Sequence, residues 1–168
     1  MVSGESFEKG GETVTLLTML LLLASSLQAV EYEHAVDFSR YKTWSWQAGV
    51  PVPPELVPDQ RIRESLARGL AARGLSNVDS DATLLVRYYA TRSTRIDLLP
   101  LDSGSGAPPT GIRYVETGSL VIDLLDAASG KVVWRGHASG VLRYGPKEIA
   151  AQIDAAVAEL LARFPPGH

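Results

Sequence analysis

Four side chains are of the types that could work together: Arg87 in "DATLLVRYYATR", Asp123 in "GSLVIDLLD", and Arg135 and His137 in "KVVWRGHASGVLR". A carboxylate and an imidazole can move protons, and guanidinium groups can hold an anion. If these stretches are strands, alternation puts all four on one face, where Asp123 can approach Arg135 across a hairpin. As a solvated ion pair the contact is worth under about 1 kcal/mol. As a site it is a polar platform for a ligand or partner, and antiparallel sheets commonly leave one such face wet.

Other chemistry finds less support. "SRYK", Ser39 to Lys42, has the serine–lysine spacing of penicillin-recognising enzymes. Those enzymes start a helix at the serine, whereas here the pair falls in an expected strand whose residues three apart point to opposite faces. The partner motifs "SDN" and "KTG" are missing. His34, His137 and His168 do not fall at ligand spacing and no cysteine supplements them, so no metal site is expected. "GSGAPPTG" lacks the lysine and the following apolar helix that a phosphate-cradling loop requires. No cofactor and no catalytic residue are expected.

The chain of 168 residues suits one domain with a sizeable core, and 45% hydrophobic with 21% charged residues is the composition of a folded protein. A net charge of −3 offers no basic face for nucleic acid. The absence of cysteine removes disulfides and thiol catalysis.

The elements that must position the four residues follow from periodicity. Aromatic and β-branched residues in "VDFSRYKTWSWQ", Val36 to Gln47, favour a strand. Phe38, Tyr41, Trp44 and Trp46 read there as packing residues, an exposed aromatic strip being the minority reading. "PVPPELVPD", Pro51 to Asp59, is a connector. Asp59 caps a helix carrying Ile62, Leu66 and Leu70 along one stripe, with Gly74 closing it. Asp81 to Arg92 is a strand with Leu84, Val86, Tyr88 and Ala90 on one face. Asp97 to Thr117, rich in Gly, Pro and Ser, reads as a long loop that could roof the polar platform.

Gly118 to Asp126, the turn "AASG" and Lys131 to Arg143 make the clearest hairpin in the chain. Gly136, Ala138 and Gly140 share a face and leave room for a helix to approach. That helix begins at Pro146, carries Ile149, Ile153, Val157, Leu160 and Phe164, and stops at Pro165 and Pro166. A further short strand near Glu31 to His34 is an option. The expected fold is a two-layer α+β sandwich: an antiparallel sheet of about four to five strands with two helices on one face.

Three stretches, "DFSRYKTWSW", "GSLVIDLLDAASGKVVWRGHA" and the final helix ending "FPP", are together similar to the bacterial domain of unknown function 4136. The resemblance spans about residues 30 to 166. It implies an exported α+β domain of the cell envelope, often carrying a lipoprotein signal, and it brings no catalytic residues.

The amino-terminal segment is read with it. Val14 to Leu23 is an apolar run of ten residues, too short for a membrane span of about 20. Small residues follow, with cleavage after Ser26 or after Ala29, as in a signal peptide. Against this, Glu5, Glu8 and Glu12 outweigh Lys9 where a signal should be positive. A lipidated relative would carry cysteine at the position of Ser26, and without a thiol no thioether-linked lipid forms. The expectation is a signal segment over 1–29 and one domain over 30–168, cleaved and free in the periplasm. A retained membrane anchor through the amino-terminal segment is the alternative. The expected partner is another envelope protein or a cell-wall component. The competing reading is a small-molecule-binding protein or hydrolase using the polar face.

Overall fold

The computed structural model describes residues 27–47, 59–99, 111–143 and 145–165. The signal-like segment to Ser26, the prolines of the connector, the centre of the expected loop and Pro166 lie outside the described residues. Among the described residues, no helix is long and apolar enough to cross a membrane.

Six strands form one sheet: β1 (Leu27–Tyr32), β2 (Thr43–Trp46), β3 (Ser76–Asn77), β4 (Leu84–Leu99), β5 (Gly111–Asp126) and β6 (Val132–Val141). Their spatial order is β1-β6-β5-β4-β2-β3. Two helices, α1 (Asp59–Ala71) and α2 (Pro146–Ala162), supply the second layer. The α+β class and the two helices match the expectation; the number and sense of the strands do not. β1, β6, β5 and β4 pair antiparallel, but β2 runs parallel to both β4 and β3, so the sheet is mixed. The reason is connectivity. β2 is followed by a helix, and a strand–helix–strand crossover returns the chain in its original direction.

The stretch expected as a strand from Val36 divides in two. Phe38–Arg40 forms a 3-10 turn, with the Asp37 carboxylate accepting from the Ser39 N–H at 2.9 Å. Only Thr43–Trp46 is strand. A spacing of three carries Phe38, Tyr41 and Trp44 into the core, each under a tenth exposed. The Phe38 ring meets Phe164 edge-on at 5.4 Å, tying this turn to the end of α2. The aromatic residues are therefore packing elements, and the exposed-strip alternative fails.

Each strand sorts its residues by alternation. Leu84, Val86 and Tyr88 of β4, Leu120, Ile122 and Leu124 of β5, and Trp134 and Ala138 of β6 join the buried core shared with Ile62, Leu66, Leu70, Val157 and Leu160 of the helices. Asp59 sits in the first turn of α1, where its carboxylate receives the Tyr88 hydroxyl and, at 2.9 Å, Arg63 Nε. The helices touch through Gly69, where a β-carbon would stand 2.4 Å from Leu161 Cδ1. Asp154 of α2 binds Arg61 and Arg68 of α1 alongside.

The expected hairpin is present. Asp126 Oδ1 accepts from both the N–H and the hydroxyl of Ser129 at 2.8 Å, and Gly130 takes the positive φ, 68°, that closes the turn. Room left by small residues on β6 is used differently from the expectation. The Trp134 indole folds over Gly136, so that a β-carbon there would lie 2.6 Å from the ring. Gly136 makes space for a neighbouring side chain, not for a helix. Because the fully buried indole cannot swing aside, Gly136→Ala is expected to cost about 1–3 kcal/mol by overpacking. Urea unfolding of the two proteins measures it, and an unchanged midpoint would refute this packing.

Candidate functional site

The four candidate residues come together except for one. Arg87 pairs in register with Asp123, and Asp123 with Arg135, on the sheet face turned away from the helices. Asp123 has no exposed surface, although it lies on the open face, because a guanidinium from each flanking strand closes over it. Arg135 grips it with a two-pronged fork, Nε on Oδ1 at 2.6 Å and Nη2 on Oδ2 at 2.8 Å. Arg87 places Nε on Oδ2 at 2.8 Å from the other side. His137 stands one diagonal step along β6, opposite Val121, and is half-buried beside the cluster and not bonded within it.

The register adds a member that sequence reasoning did not supply. β1 lies against β6 with Glu31 opposite Arg135. Glu31, Arg135, Asp123 and Arg87 therefore form a row of alternating charge across four adjacent strands. The Tyr89 ring, 44% exposed, continues the row's edge with the Arg87 guanidinium 5.7 Å from its centroid.

Electrostatics follow from this geometry. Burial pushes the Asp123 carboxyl up, but hydrogen bonds from Arg135 and then Arg87 outweigh it and hold the group below its usual range. In return the Asp123 carboxylate raises Arg135 above its ordinary value. A carboxylate ionised at neutral pH with both oxygens engaged is a poor proton carrier, and its arginine partners do not deprotonate. The cluster is built to hold charge in place.

A second buried carboxylate, Asp126, behaves alike. Hydrogen bonds from Ser129, with Tyr41 and Arg40 assisting, lower its pKa. Burial and the bond to Asp126 drive the Tyr41 hydroxyl up to about 12. This group anchors the hairpin turn to the 3-10 turn. Ser39 lies within that turn and Lys42 two residues past its end, neither in a strand, and no hydrogen bond joins them among the described residues.

Two further features lie on the helix side. An apolar crevice of about 150 Å³ opens between the sheet and α2, lined by Ala90, Leu120, Ala138, Leu142 and Ile153 among others. Beyond it, both ends of the expected loop from Asp97 to Thr117 are strand. β4 and β5 run on as a two-stranded ribbon paired out to Leu99 and Gly111. Residues 97–99 and 111–117 are therefore strand and not loop, and the centre of the expected roof, 100–110, lies outside the described residues.

Compared with known proteins, the sequence matches the family described as Domain of unknown function (DUF4136) over residues 28–166. The chain belongs to this family. None of the curated proteins matches it. Among solved structures, the DUF4136 chain is similar to the PelC dodecamer from Paraburkholderia phytofirmans, 13% identical with a TM-score of 0.51 over 82% of this chain and 96% of that one. It is also similar to a PDZ domain protein from Parabacteroides distasonis, 14% identical with a TM-score of 0.56 over 90% of this chain. The match spans 39% of the latter's length. Both likenesses are of fold.

The ion-pair cluster makes a definite claim about stability. Asp123→Ala strands two guanidiniums that can partly rehydrate, so the expected loss at neutral pH is about 2–3 kcal/mol, short of a fully buried pair. A carboxyl with a depressed folded pKa stabilises above its unfolded value near 4 and loses that contribution as pH falls through the folded value. The gap between wild type and variant should therefore narrow as pH falls below the unfolded value. Urea titrations at several pH values test this; a constant gap down to acid pH would contradict it.

Proposed function

We propose that this protein is an exported, non-catalytic component of the cell envelope that binds another envelope component through its open sheet face. The observation that carries the proposal is the row Glu31, Arg135, Asp123 and Arg87, in which Asp123 is ion-paired to an arginine on each flanking strand and Glu31 lies opposite Arg135 in the register. Such a row is rigid and patterned. It favours a partner of complementary charge order and sets orientation, which is what interfacial electrostatics does best. The half-buried His137 and the exposed Tyr89 border it, and Tyr89 supplies the aromatic area that interfaces favour.

The alternative, a hydrolase or small-molecule site on the same face, meets the difficulty that Asp123 is fully buried with an arginine on each oxygen. Export is supported by the apolar run Val14–Leu23. Cleavage after Ser26, unlike cleavage after Ala29, leaves the described length of β1 intact. A second reading, assembly with copies of itself, draws on the likeness to PelC from Paraburkholderia phytofirmans, which is a dodecamer.

Two measurements decide. Intact mass of the chain recovered from cells should show loss of residues 1–26; an uncut chain in the cytosol would refute export. A photo-cross-linking residue at Tyr89 should capture a partner in the envelope, and Glu31→Lys should remove most of that adduct while leaving the fold intact. An equal adduct from a probe at exposed Arg73, or one indifferent to Glu31→Lys, would defeat the site. An adduct with the mass of two copies would select self-assembly.

A further inference from the structure

The helix side of the sheet changes character along its strands. In one register row Val86, Leu124 and Trp134 lie side by side, and in the next Tyr88 and Ile122 flank the Trp134 indole folded over Gly136; the helices bury all of them. The two rows that follow hold Ala90, Leu120 and Ala138, then Arg92, Gly118 and Gly140. A floor of alanine and glycine lets a helix settle closer. α2 does not settle. Val157 and Leu160 in its second half are fully buried, whereas Ile149 and Ile153, on the same stripe in its first half, are only half-buried. The gap beneath them is the crevice of about 150 Å³.

Two contacts hold this gap open. The Gln152 carboxamide spans the mouth, with Nε2 donating to the Val141 carbonyl at 2.9 Å and Oε1 accepting from the Arg143 N–H at 2.8 Å. That bridge fixes the first half of α2 to the end of β6. Leu142 lies over Gly118, where a β-carbon would stand 2.8 Å from its Cδ2, and so forms a wall. The interior is apolar: Thr91, Ser119 and Ser139 border it, but alternation turns their side chains to the open face. Polar side chains on the helix side stand at the rim and are engaged, Gln152 with the backbone of β6 and Arg92 with Glu116.

We infer that the crevice binds the end of an alkyl chain, uncharged and about six carbons long. An apolar cavity of this size stays dry and takes one molecule of about six carbons. A hydroxylated or charged ligand would bury polar atoms without partners there. A side chain delivered by a protein partner would bring its peptide groups to a rim whose polar side chains are already engaged, whereas a chain end brings none. The site lies on the helix side and uses none of the residues of the charge row, so it goes beyond the function proposed above and stands or falls separately from it.

Free hydrocarbon and the acyl tail of a lipid share this chemistry, and two probes separate them: n-hexane, and dihexanoylphosphatidylglycerol below its micelle concentration. Methyl resonances of the full chain are followed by NMR. The expected result is that Ile149 and Ile153 shift on adding hexane while Ile96, 58% exposed on the ribbon, does not. Movement with the lipid as well assigns an acyl tail; movement with hexane alone assigns a free hydrocarbon. Filling the crevice from the sheet with Ala90→Leu, or from the helix with Ala156→Leu, should abolish the shifts and leave the thermal midpoint at or above that of wild type. No shift with either probe overturns the inference. So does an equal shift at Ile96, which would mean indiscriminate partition onto apolar surface, or a shift that persists in the filled variants.

Discussion

A slip of one residue in β5 would carry Asp123 into the apolar core and turn Ile122 and Leu124 to the open face. Since side chains alternate with a period of two, no intermediate register exists. On one side the strand buries Leu120, Ile122 and Leu124 against the helices; on the other it offers one carboxylate to two guanidiniums. Burial of three large aliphatic side chains is worth several kcal/mol at about 1.5–3 each, so the core alone fixes the register. The ion pair adds less energy but a heavier penalty for error, because an unpaired carboxylate in the core is far costlier than an exposed leucine. The polar face is thus positioned by the apolar one.

That dependence explains why the four-strand charge row is structural before it is anything else. Asp123 is invisible to solvent on the face of the sheet that water reaches. Arg135 is about half exposed and Arg87 less so, and they connect an interior anion to the surface without presenting a free acid or base. Glu31 then extends the pattern to the edge strand, where β1 adds its single row of hydrogen bonds to β6.

Much of this was legible beforehand because it rests on local rules. The hairpin from Gly118 announced itself through alternation on both arms and a turn of small residues ending in glycine. The helical stripes of α1 and α2 repeat at three and four, and Gly74 and Pro146 mark their limits. The approach of Asp123 to Arg135 needed only the hairpin register. Glu31 was out of reach because its place depends on a long-range choice, the return of the amino-terminal strand to β6. The parallel sense of β2 was equally non-local, although the helix following it carried the hint. In Phe38 to Trp44, aromatic residues every third position signal a turn with one buried side, and strand propensity masked that period.

The ribbon was hidden by composition. "TRIDLL" and "GIRYVE" each alternate apolar with charged residues, the pattern of an amphipathic strand, but the glycines, prolines and serines between them dominate a reading by content. Once the register is known, the alternation acquires direction: the charges of Arg95, Asp97 and Arg113 neutralise one another on one face, leaving the apolar face as the chemically distinct side. The same strands that terminate in this ribbon hold Arg87 and Asp123 at their opposite ends. Continuous backbone pairing from Leu99 to Leu84 joins the ribbon to the strand ends that hold the charge row.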